Sequence, residues 1–197
     1  MTMPRKLLLG ALVAASIVSA QAQELPKVST KTMDAVRTPL NVDDVVTIEN
    51  IKKLRVLYAH YLDTKNLEGL ASLFTPDAVI DAGLGVWRGR DEIRTGLAAA
   101  FTDYDKKNLG SYPFMHPMVN QWVEITGSNS ALGRCYLIDF ATEREPKENP
   151  LLLLASYADE YSRIDGKWYI NRSKLDIVWP TRSIGGGDPA KGLVLPK

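Results

Sequence analysis

The residues best suited to chemistry in this 197-residue sequence are few. There are two histidines, His60 and His116, and one cysteine, Cys135. Histidine is the side chain whose ordinary pKa lies nearest neutrality, so each imidazole is a candidate proton shuttle. A carboxylate beside one of them would fix its tautomer and stabilise its protonated form. Asp63 is the candidate partner. It stands where the first helix is expected to run out, and its neighbours on the helix wheel, Val56 and Ala59, are apolar. Each residue also has a plainer reading. Asp63 suits a helix C-terminal cap or turn, and a lone histidine at a strand edge, as His116 is expected to be, is often structural.

Other chemistries find no support. There is no Gly-rich phosphate loop, and "GGGDP" near the end lies in no strand-turn-helix context. There is no nucleophile elbow and no histidine pair at metal-binding spacing. A single cysteine leaves no internal disulfide and no zinc site built on thiolates. The formal net charge of +1 and the absence of a basic stripe interleaved with aromatics give no case for nucleic acid.

The elements that must position these residues follow from pattern. "MTMPRKLLLGALVAASIVSAQAQ" has Arg5 and Lys6, an apolar run from Leu7 to Ala20, and the small-x-small ending Ala20-Gln21-Ala22. Residues 1–22 read as a secretory signal peptide, so the mature chain is expected in the periplasm or secreted. The apolar run is shorter than the ~20 residues a spanning helix needs, so no stable membrane anchor is expected. Cleavage removes two cations and no acid, turning the net charge from +1 to −1. Residues 23–43 are polar and aperiodic and read as an arm.

The folded domain is expected over 44–180. Ile48, Ile51, Leu54 or Arg55, Tyr58 and Leu62 recur at helical steps, predicting a helix from about Val46 to Thr64. Asn66 suits the N-cap of a short helix from Leu67 to Phe74. "TPDA" reads as a turn, "AVIDA" and "GVWRG" as strands, and "RDEIRTGLAAAF" as a third helix. Then come four strands, "HPMVNQWVEIT", "ALGRCYLIDFAT", "LLLLASYADEYSRI" and "KWYINRSKLDIVW", the last two joined by the hairpin signal Asp165-Gly166. Helices followed by successive strands give an α+β fold, a single domain whose curved antiparallel sheet wraps on N-terminal helices. Residues 181–197 are a Gly/Pro-rich tail. Such a cone opens into an apolar pocket. If "HPM" is already extended, strand parity puts Asn120 and Trp122 on the face of His116.

"YAHYLDTKNLEGLASLFTPDAVID", "WRGRDEIRTGL", "MHPMVNQWVEITGSNSALGRCYL" and "YADEYSRIDGKWYI" occur in an order that resembles the SnoaL-like branch of the nuclear transport factor 2-like superfamily. The likeness covers about Val46 to Trp179. Within it the residues are most similar to scytalone dehydratase, bile acid 7-alpha-dehydratase and the lindane dehydrochlorinase. The resemblance implies an Asp–His dyad working without metal or organic cofactor. The aspartate falls on Asp63 and the histidine on His116, and a tyrosine of the bile acid enzyme falls on Tyr58. A second pocket histidine of scytalone dehydratase falls near Cys135, and its strand Ser and Asn fall near Ala155 and Tyr157. An arginine of the lindane enzyme falls near Arg172 or Ser173. Catalytic roles are therefore expected for Asp63, His116 and Tyr58, and substrate contacts for Trp122, Asn120, Cys135, Tyr157, Arg172 and Tyr61. No metal and no cofactor are expected. The implied activity is that of a lyase on an apolar aromatic or alicyclic hydroxy compound, either a dehydratase or a retro-aldol enzyme releasing formaldehyde. The alternatives are an isomerase or cyclase on the same dyad, and a periplasmic small-molecule-binding module without chemistry. A homo-oligomer, trimer or dimer, is expected.

Overall fold

A computed structural model describes residues 39–83 and 85–180. The expected signal peptide, most of the arm and the tail 181–197 lie outside the described residues.

The first helix, α1, runs Val42–Asp63. It starts four residues before the expected Val46, because a capping box sets its beginning. Asn41 Oδ1 accepts from the Asp44 N–H at 2.8 Å, and Asp44 Oδ2 accepts from the Asn41 N–H at 3.3 Å. Its buried stripe contains Ile51, Leu54, Arg55, Tyr58, Ala59 and Leu62. It stops at Thr64, and Lys65 takes a left-handed turn with φ 57°. The short α2, Leu67–Ser72, is capped by Asn66, whose Oδ1 accepts from the Gly69 N–H at 2.9 Å. The third helix, α3, spans Gly89–Tyr104 and buries Ile93, Leu97, Ala100 and Phe101.

The strands are β1 Phe74–Asp81, β2 Val86–Arg88, β3 Phe114–Met115, β4 Met118–Gly127, β5 Ser130–Ala141, β6 Leu151–Ile164 and β7 Lys167–Trp179. They form one sheet in the order β2-β1-β7-β6-β5-β3, with β4 also pairing β5. The β1–β7 pairing is parallel and the others are antiparallel, so the sheet is mixed where the sequence suggested antiparallel throughout. The "TPD" segment, expected as a turn, belongs to β1. The ladder to β7 is irregular between Phe74 and Val79, which accommodates Pro76 and its missing N–H. The helices lie on one face of the curved sheet. Between them is an apolar core that includes Ile51, Leu70, Phe74, Ile93, Phe101 and Ile170.

One strand edge is broken in a useful way. Residues 114–127 would be one strand along β5, but His116-Pro117 interrupt it. The register does not slip across the break. Met115 is opposite Phe140 and Met118 is opposite Leu137. The same register puts His116 directly opposite Asp139. Four residues on, it does slip. Asn120 adopts φ 52°, and the ladder shifts between Val119 and Trp122. This bulge reverses the parity of the rest of β4. Val123 becomes buried, and Trp122 pairs with Arg134 rather than following His116 inward.

Candidate active site

The inner face of β5 carries Ala131, Cys135, Leu137 and Asp139, all buried, at alternate positions. A carboxylate in that row is the anomaly. Asp139 has a 7% exposed side chain, and its Oδ2 lies 3.6 Å from His116 Nε2. Its Oδ1 has no hydrogen-bond partner among the described residues. Burial pushes its pKa up to about 6. The His116 ring opposes that shift and the charge of Asp63 adds to it.

The other ring nitrogen of His116 meets α1. Asp63 is the last residue of that helix, and its Oδ1 pairs with His116 Nδ1. Its Oδ2 also lies 3.4 Å from the His116 backbone N–H, so one carboxylate touches both ring and main chain. The ring is further held by Tyr112 and Phe114, with centroids 5.2 and 6.4 Å away. The imidazole thus sits between two carboxylates: Asp63 on Nδ1 and Asp139 facing Nε2. His60, the other histidine, is exposed on α1.

His116 and Asp139 face a cavity of about 100 Å³. Its walls are mostly apolar and aromatic, with contributions from Leu62, Leu97, Phe114, Leu153 and Ile177. Tyr58 and Tyr157 form its inner end, their rings edge-to-face at 5.9 Å. Each hydroxyl lies near enough to shift the ionisation of the other. Burial raises the pKa of both phenols, so both are proton donors at neutral pH.

The structure therefore brings together four of the residues singled out from the sequence: Asp63, His116, Tyr58 and Tyr157. Tyr58, His116 and Tyr157 line the cavity, Asp63 reaches it only through the His116 ring, and the other five do not line it. Asn120 is exposed at the bulge. Trp122 is turned by that bulge toward Arg134. Arg172 is opposite Glu160, and its Nε lies 4.0 Å from Glu160 Oε2. Cys135 faces inward but is enclosed in the core, and burial pushes its thiol up to about 12. Tyr61 is half-buried against the core. Leu152 and Leu153 both reach the cavity because β6 is irregular opposite Asp139 and Phe140. Leu154, the next residue, is 36% exposed.

Sequence reasoning missed Asp139. The signal was present in "ALGRCYLIDFA", where an acid follows Cys135 and Leu137 on the apolar parity of a strand. It also missed Arg55 as a functional candidate, although that position was read as facing inward.

Among the described residues, no group of three His, Cys, Asp or Glu side chains is arranged to hold a metal ion. What the arrangement can do is move protons. It has an imidazole oriented by one carboxylate, a second carboxyl that keeps its proton to unusually high pH, and two phenols, all at one apolar cavity.

This cone, with helices on one face of a curved sheet, is the cystatin-like fold of nuclear transport factor 2-like proteins. Residues 43–174 match the SnoaL-like domain model, and the chain belongs to that family. A protein of unknown function from Nostoc punctiforme is similar over 73% of this chain and 97% of its own, with TM-score 0.60 and 20% identity. A proposed scytalone dehydratase from Novosphingobium aromaticivorans is similar over 68% and 86%, with TM-score 0.56 and 24% identity. A hexachlorocyclohexane dehydrochlorinase, LinA-type3, from Novosphingobium barchaimii is similar over 73% and 94%, with TM-score 0.58 and 18% identity. At these identities the likeness is one of fold.

Proposed function

We propose that this protein is an exported, cofactor-independent lyase acting on an apolar aromatic or alicyclic hydroxy compound. The observation that carries the reading is the clamped imidazole: Asp63 on His116 Nδ1, with Nε2 turned toward the cavity and Asp139. In a dehydration, His116 Nε2 takes a proton from the carbon next to an activating group. The electron pair left behind forms the double bond as the C–O bond breaks. The departing hydroxide takes a proton from Tyr58 or from the Asp139 carboxyl and leaves as water. Asp63 holds the ring and stabilises the imidazolium. In the retro-aldol alternative, the same nitrogen takes a hydroxyl proton, the C–C bond breaks with its electron pair passing onto the activating group, formaldehyde departs, and the protonated His116 returns its proton to the carbon left behind. General acid–base help of this kind is worth ~10²–10⁴-fold. The small, mostly apolar cavity favours one ring of a substrate over sugars or phosphates.

The fold and the family, which includes dehydratase-like and dehydrochlorinase relatives, support an enzyme of this type. The N-terminal pattern supports export with cleavage after Ala22. Assembly as a trimer or dimer is part of the same reading and is tested by sedimentation.

The test of function is a screen of aromatic and alicyclic alcohols for release of water or formaldehyde. It is run on the wild type, Asp63→Asn and His116→Gln, with ligand binding measured alongside. The expected result is turnover lost by ~10²-fold or more in both variants with binding largely kept. If His116→Gln turns substrate over at the wild-type rate, the mechanism is wrong. If the wild type binds such compounds and converts none, the protein is a binding module.

A further inference from the structure

The inner end of the cavity rests on a cation. Arg55, on the buried stripe of α1, is 1% exposed. Its Nε donates to Asp159 Oδ2 at 2.7 Å, and its Nη2 pairs with Asp159 Oδ1 and with Ser173 Oγ. Asp159 and Ser173 are cross-strand neighbours on β6 and β7, so the sheet presents this acceptor pair at one height. The Tyr161 hydroxyl donates to Asp159 Oδ2 at 2.9 Å and completes the anchor. The remaining nitrogen, Nη1, has no hydrogen-bond partner among the described residues.

The guanidinium is stacked behind the two cavity phenols. Its carbon lies 3.8 Å from the Tyr157 ring centroid and 4.7 Å from that of Tyr58. Both distances are within the range of a cation–π contact. Burial opposes ionisation of Tyr58, while the charge of Arg55 favours it. A buried ion pair of this kind is a poor stabilising device, because apolar residues of similar volume commonly serve as well or better. Its position suggests a different use.

We propose that Arg55 is a positioning residue that makes the Tyr58–Tyr157 hydroxyl pair an oxyanion site. The ligand it suits carries an oxygen that becomes negative in the cavity, as an enolate, alkoxide or phenolate. Tyr58 donates to that oxygen, Tyr157 supports Tyr58, and the fixed cation behind both offsets the charge where no water can. The proposal rests on the lyase reading only in naming Tyr58 as the group that meets the reacting oxygen. It adds that the reaction leaves negative charge on substrate oxygen at the end of the cavity away from the surface.

The test needs no substrate. Substituted phenols of graded acidity, from phenol through trifluorophenol to 4-nitrophenol, are bound to the purified protein. Their ionisation is read by ultraviolet absorbance. The wild type is expected to hold the more acidic phenols as phenolates and to bind them more tightly as acidity rises. Arg55→Met combined with Asp159→Asn removes both buried charges, so no lone carboxylate is left behind. This pair should lower the bound phenolate-to-phenol ratio by about tenfold, the equivalent of about 1.4 kcal/mol. Tyr58→Phe, which leaves the ion pair intact, should lower it similarly, and Arg55→Lys should restore part of it.

Phenols ionised as in the wild type by the double variant, or by Tyr58→Phe, overturn the proposal. So does a wild type that ionises none. His116→Gln separates this idea from the dyad. Ionisation that vanishes with His116 and survives loss of Arg55 belongs to the imidazole. That result leaves the lyase reading standing and removes this one.

Discussion

Asp139→Asn should make this protein more stable at neutral pH. The carboxyl is buried, one oxygen has no partner, and the other is 3.6 Å from an imidazole nitrogen. Its pKa in the folded chain is about 6. In an unfolded chain it would be about 3.9, and each tenfold difference in proton affinity is worth about 1.4 kcal/mol. The folded state binds this proton more tightly than the unfolded state does. The contribution of Asp139 is therefore most favourable below about pH 4. It falls as pH rises toward about 6 and is flat above that. The full loss is about 3 kcal/mol. Asparagine keeps the shape and cannot ionise. Urea unfolding of both proteins from pH 4 to pH 8 isolates this residue, because titrations shared by the two chains cancel in the difference. The variant should match the wild type at pH 4 within about 0.5 kcal/mol and exceed it by about 2–3 kcal/mol at pH 7. A difference that ignores pH would refute the raised pKa. A variant less stable at pH 7 would refute it more sharply, by showing a carboxylate held ionised against the ring and contributing stability there.

Other expectations follow from single contacts. A Cβ on Gly133 would lie 2.7 Å from the Tyr161 ring, so Gly133→Ala should cost about 1–3 kcal/mol in chemical denaturation and disturb the Asp159 anchor. Asp159→Asn alone leaves Arg55 buried without its counter-ion and should cost about 3–5 kcal/mol by the same measurement. Asn41→Ala removes the capping box of α1 and should cost about 1 kcal/mol, with the loss seen as earlier exchange of the first-turn amides. Trp122→Ala and Asn120→Ala should leave phenol affinity unchanged by calorimetry, since neither side chain lines the cavity, whereas Tyr157→Phe should weaken it.

What could be read from the sequence was local. The stripe Ile51, Leu54, Tyr58, Leu62 is periodic and gives both the helix and its buried face. The start of α1 escaped because Val42, Val45 and Val46 are exposed, so the first turn is specified by Asn41 and Asp44 and not by burial. Parity failed on β4 for a comparable reason. Asn120 tolerates a positive φ, and that one residue turns Trp122 outward while nothing in the alternation around it changes. Asp63 and His116 are 53 positions apart and were matched through family resemblance. Their contact depends on where α1 ends relative to the broken β3–β4 edge, which no local pattern encodes. Asp139 needed the β4–β5 register as well. Parity alone marks it as an inward acid, but only the register sets it opposite His116.

The two carboxylates around His116 are built for different work. The Asp63 side chain is 25% exposed and is fixed at two points, the ring nitrogen and the backbone N–H of the same residue. Rotating it away would break both contacts, so it suits orientation. The Asp139 side chain is 7% exposed, has one unpartnered oxygen, and stands beyond good hydrogen-bond distance from Nε2. It can take up or release a proton without dismantling anything. Environments that differ this much divide two chemically identical groups into a holder and an exchanger. The division lies along the axis of the imidazole, with the apolar cavity on the exchanging side and Arg55 behind its far wall. Negative charge formed on a ligand oxygen would then have the buried cation at one end, and a proton removed from the ligand would have Nε2 at the other.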